Sequence, residues 1–158
     1  MQKIHPCLWF NNNAEEAVNH YLEVFDNAWI VSTTRWGDTG PGPKGGVLTI
    51  LFEIEGQTFL ALNGGPQFKF SEAVSMVVNC KSQKEIDRYW QALTSNGGAP
   101  GQCGWLKDKF GMSWQITPEQ MPALLQDPDR AKSDRVMRAM MQMTKLDIAT
   151  LEQARDGR

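Results

Sequence analysis

The sequence predicts an α+β fold in which one arrangement of strands and a helix occurs twice and is followed by a helical tail. Three observations support this fold class. Near the N-terminus, a run typical of a strand precedes apolar residues at helical spacing, and further strand-like runs follow that helix. The same order returns after about 70 residues, which is longer than a solenoid repeat and indicates an internal duplication. From residue 119 onward, the chain carries helix-start signals and no further strand pattern.

The first copy begins with a strand that three consecutive asparagines end. Asn13 followed by Glu16 is a capping-box pattern, which predicts the start of a helix. Apolar residues then recur at helical spacing over residues 14–25, so this helix has one apolar stripe. The pair Glu55-Gly56 predicts a hairpin turn. Strands are predicted at residues 4–10, 29–36, 47–54 and 57–63, with a glycine- and proline-rich loop at residues 37–46.

The second copy repeats this order and leads into the tail. Ser82 and Glu85 form another capping box, and Gly97-Gly98 supplies a stop for the helix. Strands are predicted at residues 74–80, 103–106 and 112–117.

The tail contains two helix-start signals. Thr117 predicts an N-cap, followed by Pro118 in the first turn, and Asp127-Pro128 predicts the start of a second helix. Four methionines lie in the second of these helices, and they predict either a helix-mediated dimer or a covered sheet edge, because methionine fills irregular apolar gaps. They are Met137, Met140, Met141 and Met143.

Composition argues against several classes of function. The net charge of −2 and a pI near 5.7 leave no basic excess to neutralise phosphates, which argues against nucleic-acid binding. No apolar run approaches the roughly 20 residues of a membrane span, and the N-terminus does not resemble a signal peptide. We therefore expect a cytoplasmic protein without a membrane partner. Three widely spaced cysteines form neither a disulfide framework nor a CxxC metal site, so buried free thiols are expected.

Residues 103–115, CGWLKDKFGMSWQ, form the most informative segment. After a polar turn at residues 107–111, apolar residues alternate with Ser113, Gln115 and Thr117, which predicts a strand with one apolar and one polar face. The polar face carries no charge. Two interpretations stay open, namely the lining of a cavity or an ordinary sheet face in contact with solvent.

Several segments together resemble the PhnB-like family of the glyoxalase, or vicinal-oxygen-chelate, superfamily. They are IHPCLWFNNNAEEAVNHYLEVF, EGQTFLALNGGPQFKF, CKSQKEIDRYWQALTSNGG, CGWLKDKFGMSWQITP and RVMRAMMQMTKLDIATLEQA, which extend over roughly residues 3–154. The resemblance implies a single domain over residues 1–158, with βαβββ modules near 1–66 and 71–118 around a cavity, and a helical tail at 119–158. It also implies homodimers, often with modules exchanged between chains.

Members of this family often carry the label 3-demethylubiquinone-9 3-methyltransferase, which the residues do not favour. A common S-adenosylmethionine site needs a glycine-rich turn between a strand and a helix, as in the related dinucleotide folds. The loop GDTGPGPKGG is followed by a strand pattern instead of a helix. The sequence therefore predicts no S-adenosylmethionine cofactor, and methyl transfer is kept as an alternative.

The resemblance also implies metal ligands on the first and last strand of each module. The matching positions are His5, Ala61, Ser75 and Gln115. Only His5 is a good ligand, because divalent ions prefer imidazole and carboxylate groups. The sequence therefore predicts a metal-poor cavity, and no other cofactor is identified.

His5 is the candidate catalytic residue, since it would be the group in the cavity that titrates near neutral pH and is suited to act as a general base. The alternative for His5 is a hydrogen-bonded structural role beside Pro6. Ligand-binding candidates share the strand faces that the resemblance directs into the cavity, or offer apolar walls. They are Cys7, Trp36, Phe52, Asn63, Phe70, Ser75, Asn79, Trp105, Ser113 and Gln115.

These residues predict a small-molecule protein that binds a compact, partly apolar ligand and acts on it through acid–base chemistry at His5. If the protein is an enzyme, a lyase or isomerase activity is expected. Alternatives are a binder that sequesters its ligand without turnover, the methyltransferase of the family label, and an interaction module based on the methionine-rich tail. Fold alone does not decide among them.

Overall fold

A computed structural model describes residues 2–158 and contains two similar four-stranded sheets. The chain divides into one unit that extends to Phe70 and a second from Ser71 to Arg158. The strand order is β1-β4-β3-β2 in the first unit and β5-β8-β7-β6 in the second. In each, the first strand pairs in parallel with the fourth, and the other pairs are antiparallel. This repetition confirms the predicted α+β fold with two βαβββ copies.

The first unit follows the predicted order of elements. Its hairpin turn at Glu55-Gly56 has positive φ at both residues, 48° and 80°, as a tight type I′ turn requires. The elements are β1 (Cys7–Phe10), α1 (Ala14–Val24), β2 (Ala28–Arg35), β3 (Val47–Ile54) and β4 (Gln57–Asn63). The predicted strand at residues 4–10 is shorter in the structure, where it begins at Cys7. Ile4 lies before the paired residues and is 86% exposed.

Helix α1 covers one face of the first sheet. The ring of Tyr21 stacks on Phe52 with their centroids 6.4 Å apart, and Phe52 stacks on Phe59 in the neighbouring strand. These side chains are almost entirely buried. The β1–β4 register places Leu8 beside Ala61 on this helix-covered face, whereas Cys7 and Trp9 point to the other face.

The second unit repeats this arrangement with shorter strands. Ser82 accepts a hydrogen bond from the amide of Glu85, and the Glu85 carboxylate accepts one from the amide of Lys81, so the predicted cap forms. Helix α2 contacts β8, β7 and β5 and buries Ile86 and Leu93. The elements are β5 (Ser75–Cys80), α2 (Gln83–Thr94), a 3₁₀ turn (Ser95–Gly97), β6 (Ala99–Pro100), β7 (Trp105–Lys107) and β8 (Ser113–Pro118).

The tail forms three helices with a small core of their own. They are α3 (Met121–Leu125), α4 (Arg130–Met141) and α5 (Ile148–Asp156). The buried side chains of this core are Met121, Leu124, Val136 and Leu151 from the helices and Leu146 from the segment between α4 and α5. The backbone amides of Cys103 and Gly104 donate to the carbonyls of Met143 and Thr144, which ties the tail to the segment that leads into β7. Of the methionines, Met137 and Met141 are exposed, while Met140 and Met143 pack against this core.

The predicted helix start at Thr117 is wrong. Thr117 and Pro118 continue strand β8 and pair with Asn79 and Cys80 of β5. The amide of Glu119 extends this ladder by donating to the Cys80 carbonyl over 2.8 Å, so the helix starts only at Met121. Among residues 2–158, no helix is long and apolar enough to cross a membrane.

Candidate functional site

The sheet of the second unit presents a polar face on the side opposite α2. We define the polar face as Ser75, Asn79, Ser113, Gln115 and Thr117. The parallel register sets Ser75 beside Ser113 and Asn79 beside Thr117. The side-chain amide of Gln115 donates a hydrogen bond to the Ser75 hydroxyl over 2.9 Å. The predicted alternation of β8 is therefore present, and its polar side chains interact across neighbouring strands.

Ser113 is the most buried member of the polar face. Its exposed fraction is 1%, and its hydroxyl has no hydrogen-bond partner among residues 2–158. An unsatisfied buried hydroxyl costs about 1–3 kcal/mol, because it gives up its hydrogen bonds to water. Such groups are uncommon in folded proteins and call for an explanation.

Two residues of β7 share the polar face through the antiparallel register. Trp105 lies opposite Gln115, and Lys107 lies opposite Ser113. The Lys107 ammonium forms an ion pair with the Glu72 carboxylate at 2.5 Å. The hydrogen bond from Lys107 lowers the pKa of Glu72 below its ordinary value. The positive charge beside Ser113 is thus neutralised within the unit.

The first unit presents an apolar face on the side opposite α1. We define the apolar face as Cys7, Trp9, Leu60 and Leu62, which the register sets side by side. The Trp9 indole donates to the carbonyl of Gly65 over 2.9 Å, and Phe68 meets its ring edge-on with centroids 4.9 Å apart.

Cys7 is exposed and Cys103 is half-buried, whereas buried thiols were expected, and only Cys80 meets that expectation. Partial desolvation nevertheless raises the pKa of the Cys7 thiol, so this thiol is a poor nucleophile at neutral pH.

His5 lies two residues before β1 and is partly exposed. Its Nδ1 atom is buried and has no hydrogen-bond partner among residues 2–158. The next residue, Pro6, joins the sheet by accepting a hydrogen bond from the amide of Leu60. His5 is therefore held close to the edge strand, while one ring nitrogen is left without a partner in the described chain.

Asn63 lies on the helix-covered face, which separates it from Cys7. The sequence interpretation brought Asn63 and Ala61 together with Cys7 on converging faces, but the register pairs Ala61 with Leu8 and Asn63 with Phe10. The Asn63 side chain accepts a hydrogen bond from the amide of Ala14 over 2.9 Å and donates to the Val47 carbonyl. Asn63 therefore caps α1 and has no place on the apolar face.

Three of the aromatic residues predicted to line the cavity pack against other parts of the first unit instead. Phe52 is fully buried beneath α1. Trp36 follows β2 and lies against the glycine-rich loop, where a side chain at Gly40 or Gly42 would overlap its ring. Phe70 meets Phe10 edge-on with centroids 5.3 Å apart. Of the predicted aromatic residues, Trp105 alone is aligned by strand register with the polar face in the described chain.

Sequence reasoning interpreted Asp108 as a turn residue, with catalytic use as the weaker alternative, and the structure shows how its buried carboxylate organises the hairpin. Its Oδ1 accepts hydrogen bonds from the amides of Phe110 and Met112 at 2.9 and 3.0 Å. Its Oδ2 accepts from the Trp114 indole at 2.9 Å. The signal available in the sequence was an aspartate at the start of a glycine-containing turn. These contacts fix the start of β8 and hence the position of Ser113.

Apart from His5, the residues at the implied metal positions do not fit a divalent ion. In the first unit, the face that carries Cys7 offers Leu60 and Leu62 from β4, and leucine cannot coordinate. In the second unit, Ser75 and Gln115 are hydrogen-bonded to each other and carry no charge. No group of three or more His, Cys, Asp or Glu side chains within the described chain is arranged to hold a metal.

Comparisons with known proteins agree with this architecture. A family model described as 3-demethylubiquinone-9 3-methyltransferase matches residues 2–117. A solved structure of a putative 3-demethylubiquinone-9 3-methyltransferase, PhnB protein, from Bacillus cereus is 37% identical, with a TM-score of 0.68. The alignment covers 74% of this chain and 99% of that one. No curated protein matches the chain.

More distant structures share the fold alone. A Pseudomonas aeruginosa protein is 22% identical over 75% of this chain and 98% of its own, with a TM-score of 0.62. A fosfomycin resistance protein from Listeria monocytogenes, solved with Mn(II) and sulfate, is 13% identical over 79% of this chain and 97% of its own, with a TM-score of 0.53. The family match ends at residue 117, so helices α3 to α5 lie beyond it, although the sequence interpretation had included them in the resemblance.

Proposed function

The chain belongs to the 3-demethylubiquinone-9 3-methyltransferase, or PhnB-like, family, and on that premise we propose that it binds a compact, partly apolar molecule without a metal ion. The polar face of the second unit carries this proposal. Its serine, glutamine, asparagine and threonine side chains offer hydrogen bonds without charge, and Trp105 adds apolar surface beside them. Small-molecule sites commonly combine a few placed polar groups with aromatic surface.

The absence of suitable ligand groups supports binding without a metal ion. Ser75 and Gln115 occupy the positions that the family pattern gives to ligands, and they are weak donors to a divalent cation. Addition of a chelator should therefore leave ligand affinity unchanged. The metal content of the purified protein, measured before and after dialysis against EDTA, checks the same point independently.

Binding at the polar face can be tested by NMR on the ¹⁵N-labelled protein. A library of small aromatic and heteroaromatic compounds in EDTA-containing buffer should include compounds that shift the amide signals of Ser113 and Gln115. Gln115→Ala should weaken binding of those compounds, because its amide orders the polar face through Ser75. Gln153→Ala, at an exposed position of α5, provides the matched control. Compounds that shift signals elsewhere and leave the polar face unchanged would contradict the proposal.

We further propose His5 as a general base, which would make the protein an enzyme instead of a sequestering binder. An imidazole ring can both accept and donate a proton, and the Nδ1 atom of His5 has no partner among residues 2–158. Once a ligand is found, His5→Ala should abolish turnover with little loss of affinity. A ligand that binds both variants equally and is released unchanged by the parent protein supports sequestration instead.

Methyl transfer is the second candidate function, because the family description and the name of the Bacillus cereus relative both state it. In this chain the glycine-rich loop joins antiparallel strands β2 and β3, and no helix begins at its end. That arrangement lacks the helix N-terminus on which many cofactor sites depend. Titration calorimetry with S-adenosylmethionine tests this candidate. Micromolar binding would support methyl transfer, and absence of binding would contradict it.

We also propose that the protein forms a homodimer. Strand β2 lies at the edge of its sheet, and its residues Trp29, Ile30 and Val31 are 40–48% exposed. Exposed apolar residues on an edge strand favour pairing with another chain.

A further inference from the structure

The neighbouring side chains of the polar face do not form a hydrogen bond with the Ser113 hydroxyl. The adjacent Ser75 hydroxyl already accepts a hydrogen bond from Gln115. The ammonium of Lys107, on the other side of Ser113, is paired with Glu72. Within residues 2–158, no donor or acceptor meets the Ser113 hydroxyl, although the residue is only 1% exposed.

A buried hydroxyl in this setting favours a ligand that supplies the missing acceptor. An O–H group needs only a suitably placed oxygen lone pair, whereas an apolar ligand would leave the group unsatisfied. A site that holds an unsatisfied polar group favours ligands that carry its complement over ligands that lack it. Ser113 therefore has the properties of a residue that determines specificity.

The surrounding charges indicate that the ligand is neutral. Among the strand residues aligned with the polar face, Lys107 carries the formal charge, and Glu72 already balances it. Because Lys107 and Glu72 balance each other, neither an anionic nor a cationic ligand would find an unpaired opposite charge beside Ser113. Trp105, in register with Gln115, offers a ring surface, and Val77 of β5 is 53% exposed on the same side. These neighbours suit a planar, partly apolar molecule.

We propose that Ser113 selects an uncharged aromatic ligand by donating a hydrogen bond to a carbonyl oxygen on that ligand. This inference rests on the proposed function, since it names the chemical class that the polar face accepts. It requires no metal ion and no covalent step.

Three small probes of similar shape test this selection. Acetophenone presents a carbonyl acceptor, α-methylstyrene replaces the C=O group by C=CH₂, and benzoate replaces the acetyl group by a carboxylate. Dissociation constants come from NMR titrations that follow the amides of Ser113 and Gln115 and the indole of Trp105. Acetophenone should bind about fivefold to tenfold more tightly than α-methylstyrene, as one neutral hydrogen bond implies. Benzoate should bind more weakly than acetophenone.

Ser113→Ala should remove the preference for acetophenone over α-methylstyrene while leaving α-methylstyrene affinity unchanged. The same variant should keep or raise the urea midpoint, because it removes an unsatisfied buried hydroxyl. A purely structural role would instead lower the midpoint. Ser133→Ala is the matched control, since Ser133 is buried in α4 and its hydroxyl is already bonded to the Arg130 carbonyl. It should leave all three affinities unchanged.

The outcomes separate this inference from the proposed function. Equal binding of acetophenone and α-methylstyrene at the polar face would overturn the role of Ser113 and leave small-molecule binding intact. A preference for acetophenone that survives in Ser113→Ala would do the same. If none of the probes shifts the polar face, even at millimolar concentration, both the inference and the proposed site fail.

Discussion

At the scale of single residues, Asp108 and Ser113 are two buried polar groups with opposite surroundings. The Asp108 carboxylate accepts three hydrogen bonds, from two amides and the Trp114 indole. The Ser113 hydroxyl has no partner among residues 2–158. A satisfied buried group stabilises a local structure, whereas an unsatisfied one is retained at the cost of stability. This contrast is why we assign a structural role to Asp108 and a binding role to Ser113.

Replacement of Asp108 by asparagine tests its structural role. Asp108→Asn would keep only some of these hydrogen bonds. The NH₂ group of asparagine is a donor, so it would face another donor where a carboxylate oxygen now accepts. Because hydrogen bonds to a charged group are worth about 1.5–3 kcal/mol, we expect this substitution to lower the free energy of unfolding by about 2–3 kcal/mol. Urea denaturation measures this loss. Asp38→Asn, at an exposed loop position, should change stability little and serves as the control.

Cys80 gives a prediction for alkaline pH. Burial, with a smaller contribution from Glu85, raises the pKa of its thiol from 9.0 to about 12. The unfolded chain therefore loses this proton near pH 9, while the folded chain keeps it, so stability should fall as pH rises from about 9 towards 12. Urea midpoints between about pH 8 and about pH 10.5 measure this dependence. Cys80→Ala should show a flatter curve, and an identical slope in both proteins would contradict the assignment.

At the scale of elements, helix α1 shows how a local signal and a tertiary contact compete. The sequence places Asn13 at the N-cap, and the helix does start at the next residue. However, the Asn13 side chain makes no capping hydrogen bond, and Asn63 at the end of β4 accepts from the Ala14 amide instead. The boundary was predictable from the local pattern, whereas the capping partner lies 49 residues away.

Paired alanine substitutions distinguish these two asparagines. Asn63→Ala should lower the free energy of unfolding by about 1–2 kcal/mol, because it removes the cap of α1 and the bond to the Val47 carbonyl. Asn13→Ala should have a much smaller effect. Chemical denaturation provides both values, and amide hydrogen exchange in the first turn of α1 locates the change. Equal losses in the two variants would show that Asn63 is not the dominant cap.

At the scale of the whole molecule, the two units carry different faces on the same strand order. The apolar face of the first unit contains Cys7, Trp9 and two leucines, whereas the polar face of the second contains uncharged hydrogen-bonding side chains. The two units thus share a topology while the side chains on these faces differ. Fold and site are loosely coupled in this way in many superfamilies.

Self-association is the prediction that belongs to this scale. Light scattering coupled to size-exclusion chromatography should give a mass of two 17.8 kDa chains. Trp29→Lys should shift the protein towards the monomer, because a charged residue on an edge strand opposes pairing. Ser32→Lys, a substitution of an exposed polar residue on the same strand, tests whether the apolar side chain matters beyond added charge. A monomeric parent protein at high micromolar concentration would contradict the proposed dimer.

The sequence by itself determined the duplicated strand–helix–strand order, the Glu55-Gly56 turn and the Ser82 cap, because each depends on residues within a few positions of one another. Tertiary structure decided the capping role of Asn63, the network around Asp108 and the continuation of β8 through Thr117 and Pro118. Thr117 and Pro118 carry a helix-start pattern but form a strand, because β5 supplies pairing partners for them. The helix-start pattern depends only on residues that are close in sequence. Which face a side chain occupies follows from register, and register is set by strands distant in sequence.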